Sequence, residues 1–195
     1  MTRTLRSGVF PCTTGEHLPF LVHFGFADDR RVRSAFAFLI EDMSGVNALN
    51  CGRYQHRDCL WGAIAALNGL AVLPSDMRSA QSAQVVKRLA KALLDAEYDF
   101  NGDHKRWLTF GVPRGWDLIA ALKALAAHGY VRDRRFMALF DLVLSRQDDQ
   151  GRWLCGSASQ TWPLEKRNRP SEWVTLDALR VLKMSRDETI GNAAG

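Results

Sequence analysis

The sequence predicts an all-α fold of helical hairpins arranged as an inner and an outer layer. Three observations carry this. Apolar residues recur at helical spacing in seven segments. Strand-like alternation never persists beyond a few residues. A turn pattern of glycine, aspartate and paired arginine occurs twice, 104 residues apart (129 − 25 = 104).

The segments follow in order. Leu18, Leu21, Val22 and Phe24 predict a short first helix, and Val32, Ala35, Phe36, Phe38, Leu39 and Ile40 a second. Leu60, Ile64, Leu67 and Leu70 mark a third, rich in alanine. Val85, Val86, Leu89, Leu93 and Leu94 mark a fourth. Leu118, Ala121, Leu122 and Leu125 predict a fifth, and Phe136, Leu139, Phe140, Leu142, Val143 and Leu144 a sixth. Val174, Leu176, Leu179, Val181 and Leu182 predict the seventh. The third and fifth are apolar around much of their circumference, the pattern of a helix buried on both sides. The fourth and sixth carry more charge and are expected outside.

The repeat aligns His23-Phe24-Gly25-Phe26-Ala27-Asp28-Asp29-Arg30-Arg31-Val32 with Ala127-His128-Gly129-Tyr130-Val131-Arg132-Asp133-Arg134-Arg135-Phe136. Cys51 and Cys155 share the same offset. Each glycine is placed to end an inner helix in the left-handed conformation. Each aspartate, Asp29 or Asp133, is placed to cap the outer helix that follows. One long unit of four helices, about two hairpins, thus occurs almost twice.

The chain has 195 residues, 47% of them apolar, and a formal charge of +5. That length suits one domain over residues 1–184, with a polar, frayed tail over 185–195. Arginines cluster at Arg30, Arg31 and Arg33, at Arg132, Arg134 and Arg135, and at Arg167 and Arg169. No basic run or nucleic-acid motif accompanies them, so solvated helix ends are expected rather than a nucleic-acid partner. Residues 1–11 lack the apolar core of a secretory signal, and no stretch reaches the roughly 20 apolar residues that span a bilayer. A soluble, cytoplasmic protein is expected, with Cys12, Cys51, Cys59 and Cys155 as thiols or metal ligands rather than disulfides.

Several motifs resemble a known family. Asp148-Asp149-Gln150-Gly151-Arg152-Trp153 resembles the aspartate-glycine-tryptophan turn that ends outer helices in squalene-cyclase-like and prenyltransferase-like α/α-toroids. Phe10-Pro11-Cys12-Thr13-Thr14-Gly15, Cys59-Leu60-Trp61-Gly62, Asp103-His104, Trp116-Asp117 and Pro170-Ser171-Glu172-Trp173-Val174-Thr175-Leu176 resemble short microbial proteins of that class. The resemblance covers residues 9–183. It implies a partial α/α-toroid of about four helical hairpins, with a cavity for an isoprenoid or other apolar small molecule. The Asp-x-Asp-Asp acid motif of the large cyclases and the Asp-Asp-x-x-Asp motif of metal-dependent synthases are both missing. The helices are too few for a complete ring. An open ring exposes apolar edges, which proteins seldom leave bare, so a homo-oligomer is expected.

In such toroids the inner helix starts open onto one cavity mouth, which here gathers Cys12 to His17, Cys51 to Cys59, Asp103 to Asp117 and Glu172 to Thr175. Cys51, His56 and Cys59 lie within nine residues. Thiolates and imidazole are preferred zinc ligands, and Cys12 or His104 would complete such a site if the loops meet. The bland reading is small thiols packed at helix starts. Asp58 and Asp117 each precede an inner helix. Either is an N-cap or, if an apolar cavity raises its pKa, a general acid, with His104 a further candidate. Trp61, Trp107, Trp116 and Trp173 are candidate cavity walls, since aromatic faces stabilise cations; ordinary core packing is the alternative. Three functions follow: an enzyme on an apolar substrate, a noncatalytic binding scaffold, and metal-dependent thiol chemistry at the cysteine–histidine cluster.

Overall fold

Every segment with a helical apolar period forms a helix, and most begin earlier than the period does. The computed structural model describes residues 10–46, 48–50, 59–96, 107–111, 117–156 and 165–191, with side chains described through residue 186. They fall into two compact units, Met1–Leu93 and Leu94–Gly195. The 104-residue repeat places one copy of the glycine–aspartate–arginine turn in each.

The first unit begins with α1 (Pro11–His23), which starts ahead of its first apolar marker, Leu18. Pro11 explains the early start: its fixed φ suits a first helical residue, and its missing N–H would have had no partner there. Pro19, inside the helix, removes the ladder bond to the carbonyl four residues back, that of Gly15. α2 (Arg30–Ser44) is amphipathic and buries Val32, Phe36, Leu39, Ile40 and Met43. α3 (Leu60–Ala71) is almost wholly buried, as its alanine-rich sequence predicts. A 3-10 turn (Ser75–Met77) leads to α4 (Ala80–Leu94), which buries Val85, Leu89, Ala90 and Leu93. Ser79 and Ser82 reciprocate at its start: Ser79 N–H donates to Ser82 Oγ at 2.9 Å, and Ser82 N–H to Ser79 Oγ at 3.2 Å. Arg88 of α4 donates to the carbonyls of Ser44 and Gly45, satisfying the end of α2.

Two glycines hold α1 against α3. A Cβ on Gly15 would lie 2.3 Å from the carbonyl oxygen of Ala65, and one on Gly69 would lie 3.0 Å from Gly15 Cα. The helices meet backbone to backbone, with Leu39 of α2 closing over the crossing 3.1 Å from that same Gly69 position. Phe20, Leu21 and Phe24 remain exposed on α1 or at its end.

The second unit contains α5 (Leu118–Ala126), a 3-10 turn (Tyr130–Arg132), α6 (Arg134–Leu144), β1 (Trp153–Leu154), β2 (Pro170–Ser171) and α7 (Glu172–Gly191). α5 is buried nearly throughout and packs on α6 and α7, repeating the way α1 packs on α2 and α3. α6 buries Phe136, Phe140 and Val143 and exposes its other face. The apolar period of α7 stops at Leu182, yet its backbone stays helical to Gly191. β1 and β2 pair antiparallel, Trp153 opposite Ser171 and Leu154 opposite Pro170.

The repeated turns match at their left-handed glycines and aspartate caps, while the helix before Gly129 ends one residue earlier relative to its glycine, with Ala127 rather than His128 as C-cap. Gly25 and Gly129 both adopt the left-handed conformation, φ 85° and 79°. Asp29 Oδ1 accepts from the Arg31 N–H at 2.8 Å and from its Nε at 3.0 Å; Asp133 Oδ1 accepts from Arg135 N–H and Nε, both at 2.9 Å. These arginine bonds hold each carboxyl near pKa 2. After α1 the turn is a full Schellman motif, with Phe26 N–H donating to Leu21 O and Gly25 N–H to Val22 O.

The turn after α6 is also built as its sequence suggests. Asp148 Oδ1 accepts from the N–H groups of Gln150 and Arg152, while Gly151 takes φ 77°. The following Trp153 is buried, and its indole donates to Val143 O at 2.7 Å, alongside the Arg146 N–H at 3.1 Å near the end of α6.

Candidate functional site

Of the candidate site residues, Asp117 is the one that the fold builds around most closely. It caps α5: Oδ1 accepts from Ala120 N–H at 3.0 Å. Oδ2 accepts from the N–H of Gly111 at 3.0 Å. Only 5% of the residue is exposed. Burial pushes its carboxyl up to about 6; the two backbone N–H groups oppose the rise, Asp177 adds to it and Lys123 opposes it. Desolvation outweighs the two N–H groups because the carboxyl is almost wholly removed from water, and burial disfavours the charged form. The expected capping role is therefore present, together with the elevated pKa that the acid role requires.

Gly111 joins Asp117 to residues far along the chain. It takes φ 74°, and a Cβ there would lie 3.2 Å from both Cys155 Sγ and Val174 Cγ2 and 4.0 Å from Glu165 Oε2. Ser171 Oγ donates to Glu165 Oε1 and accepts from Val174 N–H at 2.9 Å, which caps α7. Cys155 is buried and lies beyond β1, its N–H donating to Arg169 O at 2.8 Å. A loop glycine, a thiol and two carboxyls thus share one part of the second unit. At its edge Lys123 Nζ meets Asp177 Oδ1 at 2.8 Å, both half exposed. Cys155, Glu165 and Ser171 escaped sequence reasoning as site residues. The serine three residues before Val174 is a legible cap signal, but nothing local brings Glu165 or Cys155 to Gly111.

The other candidates lie partly on other elements and partly outside the described residues. Cys12, half-buried, lies in the first turn of α1. Cys59, also half-buried, directly precedes α3, and its N–H donates to Leu49 O at 2.7 Å. Cys12, Cys59 and Cys155 form no disulfide. Their proposed co-ligands Cys51 and His56 lie outside the described residues, as do Asp58, His104 and Trp116. Among the described residues no three histidine, cysteine, aspartate or glutamate side chains converge as a metal site would require. Trp61 is buried in α3 and Trp107 in the second unit, whereas Trp173 is 64% exposed on α7. His17 spends its Nδ1 locally, 2.7 Å from Thr13 O.

Compared with family models, with curated proteins and with solved structures, the chain finds no match in any of the three. No described helix is long and apolar enough to cross a membrane.

Proposed function

We propose that this chain is a helical-hairpin protein of the α/α-toroid class that binds an isoprenoid or other apolar ligand, and that Asp117 is its proton donor. The observation that supports this is the buried carboxyl at the start of α5, held by the N–H groups of Gly111 and Ala120. A carboxyl with a pKa of about 6 keeps a proton where an ordinary aspartate has lost it, and a general acid works best with a pKa near the working pH. When the proton leaves, those two N–H groups stabilise the carboxylate that remains. The second unit thereby supplies an acid despite lacking the cyclase acid motif.

The test is native mass spectrometry on protein purified without chelator, followed by turnover of whatever apolar compound co-purifies. Any bound metal is read in the same spectrum. The expected result is a retained apolar ligand, converted by the native protein and left unconverted by Asp117→Asn. Undiminished conversion by Asp117→Asn removes Asp117 from the chemistry, and a protein that takes up no apolar compound overturns the reading.

A noncatalytic scaffold is the second reading, favoured by Phe20, Phe24 and Phe26, which stand 64%, 71% and 49% exposed at the end of α1. Such a cluster suits self-association. Light scattering decides it: a dimer that Phe20→Ser/Phe24→Ser dissociates supports this reading, and a monomeric native protein rejects it.

A further inference from the structure

α7 has two faces of different character. Val174, Ala178 and Val181 are buried. On the opposite side Trp173, Leu176 and Leu179 are 64%, 40% and 44% exposed, with exposed Arg180, Lys183 and Arg186 along the same face. At 3.6 residues per turn, positions 173, 176, 180 and 183 form one stripe, with 179 and 186 at its margin. The segment leading into the helix adds exposed Lys166, Arg167 and Arg169. Residues 166–188 hold six cations against Glu172, Asp177, Asp187 and Glu188, a local charge of +2 (6 − 4), with the cations ahead of the acidic pair at 187–188. Asp177 is already neutralised by Lys123 and Arg180, at 2.8 and 3.2 Å.

We propose that this outward face of α7 docks on an anionic lipid bilayer. Each half of the pattern alone suits another partner: an apolar stripe fits a neutral protein face, and a cluster of cations fits any polyanion. Together they fit an interface in which apolar side chains enter the acyl boundary while cations meet lipid phosphates. The Trp173 indole sits at headgroup level, where aromatic rings with one polar edge accumulate. Arg180, Lys183 and Arg186 have stems long enough to lie over the apolar stripe with their charges among the headgroups. The exposed cluster at the end of α1 makes the contrast: α1 contains no lysine or arginine. Because no described helix has the length and apolarity to span a membrane, the contact is peripheral.

Co-sedimentation with vesicles tests the proposal on the full chain, using phosphatidylcholine alone and phosphatidylcholine with about one-third phosphatidylserine. The native protein is expected to bind the anionic vesicles at least about tenfold more tightly than the neutral ones, and to release as salt screens the surface. Lys183→Glu/Arg186→Glu is expected to lose about tenfold or more, since each cation near an anionic surface contributes. Trp173→Ser/Leu176→Ser/Leu179→Ser is expected to lose binding as well, with an unchanged far-UV spectrum and a somewhat lower melt, since Leu176 and Leu179 are partly covered and serine is the poorer helix former; binding is therefore compared well below both melting temperatures. Failure of the native protein to bind phosphatidylserine vesicles overturns the proposal. So does equal binding to both compositions, or full binding by the serine variant, which would reduce the effect to charge alone. A dimer that the serine variant dissociates also overturns it, because the stripe would then be covered by a second copy.

Discussion

Replacing Asp117 with asparagine separates the carboxyl's charge from its shape. Burial raises the Asp117 pKa from 3.8 to about 6, so the folded protein holds this proton more tightly than the unfolded chain. Between those two values the folded state binds more protons, and stability must fall as pH rises through the window. The contribution is fully present below about pH 4 and lost above about pH 6. At 1.36 kcal/mol per pH unit it amounts to about 3 kcal/mol. Asparagine cannot ionise. It keeps an oxygen for the Ala120 N–H but turns an NH2 toward the Gly111 N–H, a loss of about 1–3 kcal/mol that does not vary with pH. The stability difference between native and Asp117→Asn proteins should therefore shrink by about 3 kcal/mol from pH 3 to pH 7, and reverse sign where the hydrogen-bond loss is small. Denaturant unfolding of both proteins at matched ionic strength across that range measures it, and a carbon-13 titration of the Asp117 carboxyl gives the pKa directly. A difference that stays flat, or a carboxyl titrating near 4, would refute both the burial argument and the acid role resting on it.

Three further substitutions probe the fold. Gly15→Ala improves helix propensity, yet its Cβ would meet the Ala65 carbonyl at 2.3 Å; thermal melts should show a loss of about 1–3 kcal/mol or more, opposite in sign to propensity. Asp133→Ala removes the α6 cap and should cost about 1 kcal/mol at neutral pH. Because the native Asp133 carboxyl is depressed to about 2, that difference should narrow as pH falls below about 4. Trp153→Phe removes the indole donor from the Val143 carbonyl, which keeps the Arg146 N–H, and should lose about 1 kcal/mol in urea unfolding, while Trp173→Phe, on the exposed face of α7, should lose little.

Much of the fold was legible because its signals are local. Each of the seven apolar periods corresponds to a helix among the described residues, since spacing of 3.6 is a property of neighbouring residues. Boundaries set by other chemistry were harder. α1 starts at Pro11 and runs through Gly15, neither of which contributes to an apolar period. The left-handed glycines and the aspartate caps of the twin turns were legible, because both carry their geometry locally; the bonds from Arg31 and Arg135 back to those caps were not.

Of the site, the sequence by itself determined Asp117 as the cap of α5, for a capping aspartate answers to the N–H groups of the next three residues. Tertiary structure alone decided that this cap is buried, that Gly111 binds its second oxygen, and that Cys155, Glu165 and Ser171 approach the same glycine. The repeat shows the same division. Matched turns follow α1 and α5, yet α1 leaves Phe20 and Phe24 exposed while α5 is almost entirely buried. Hydrogen bonds of a turn reach a few residues along the chain. Burial, and the pKa it shifts, depend on what distant segments pack against the helix, and only the folded chain supplies those neighbours.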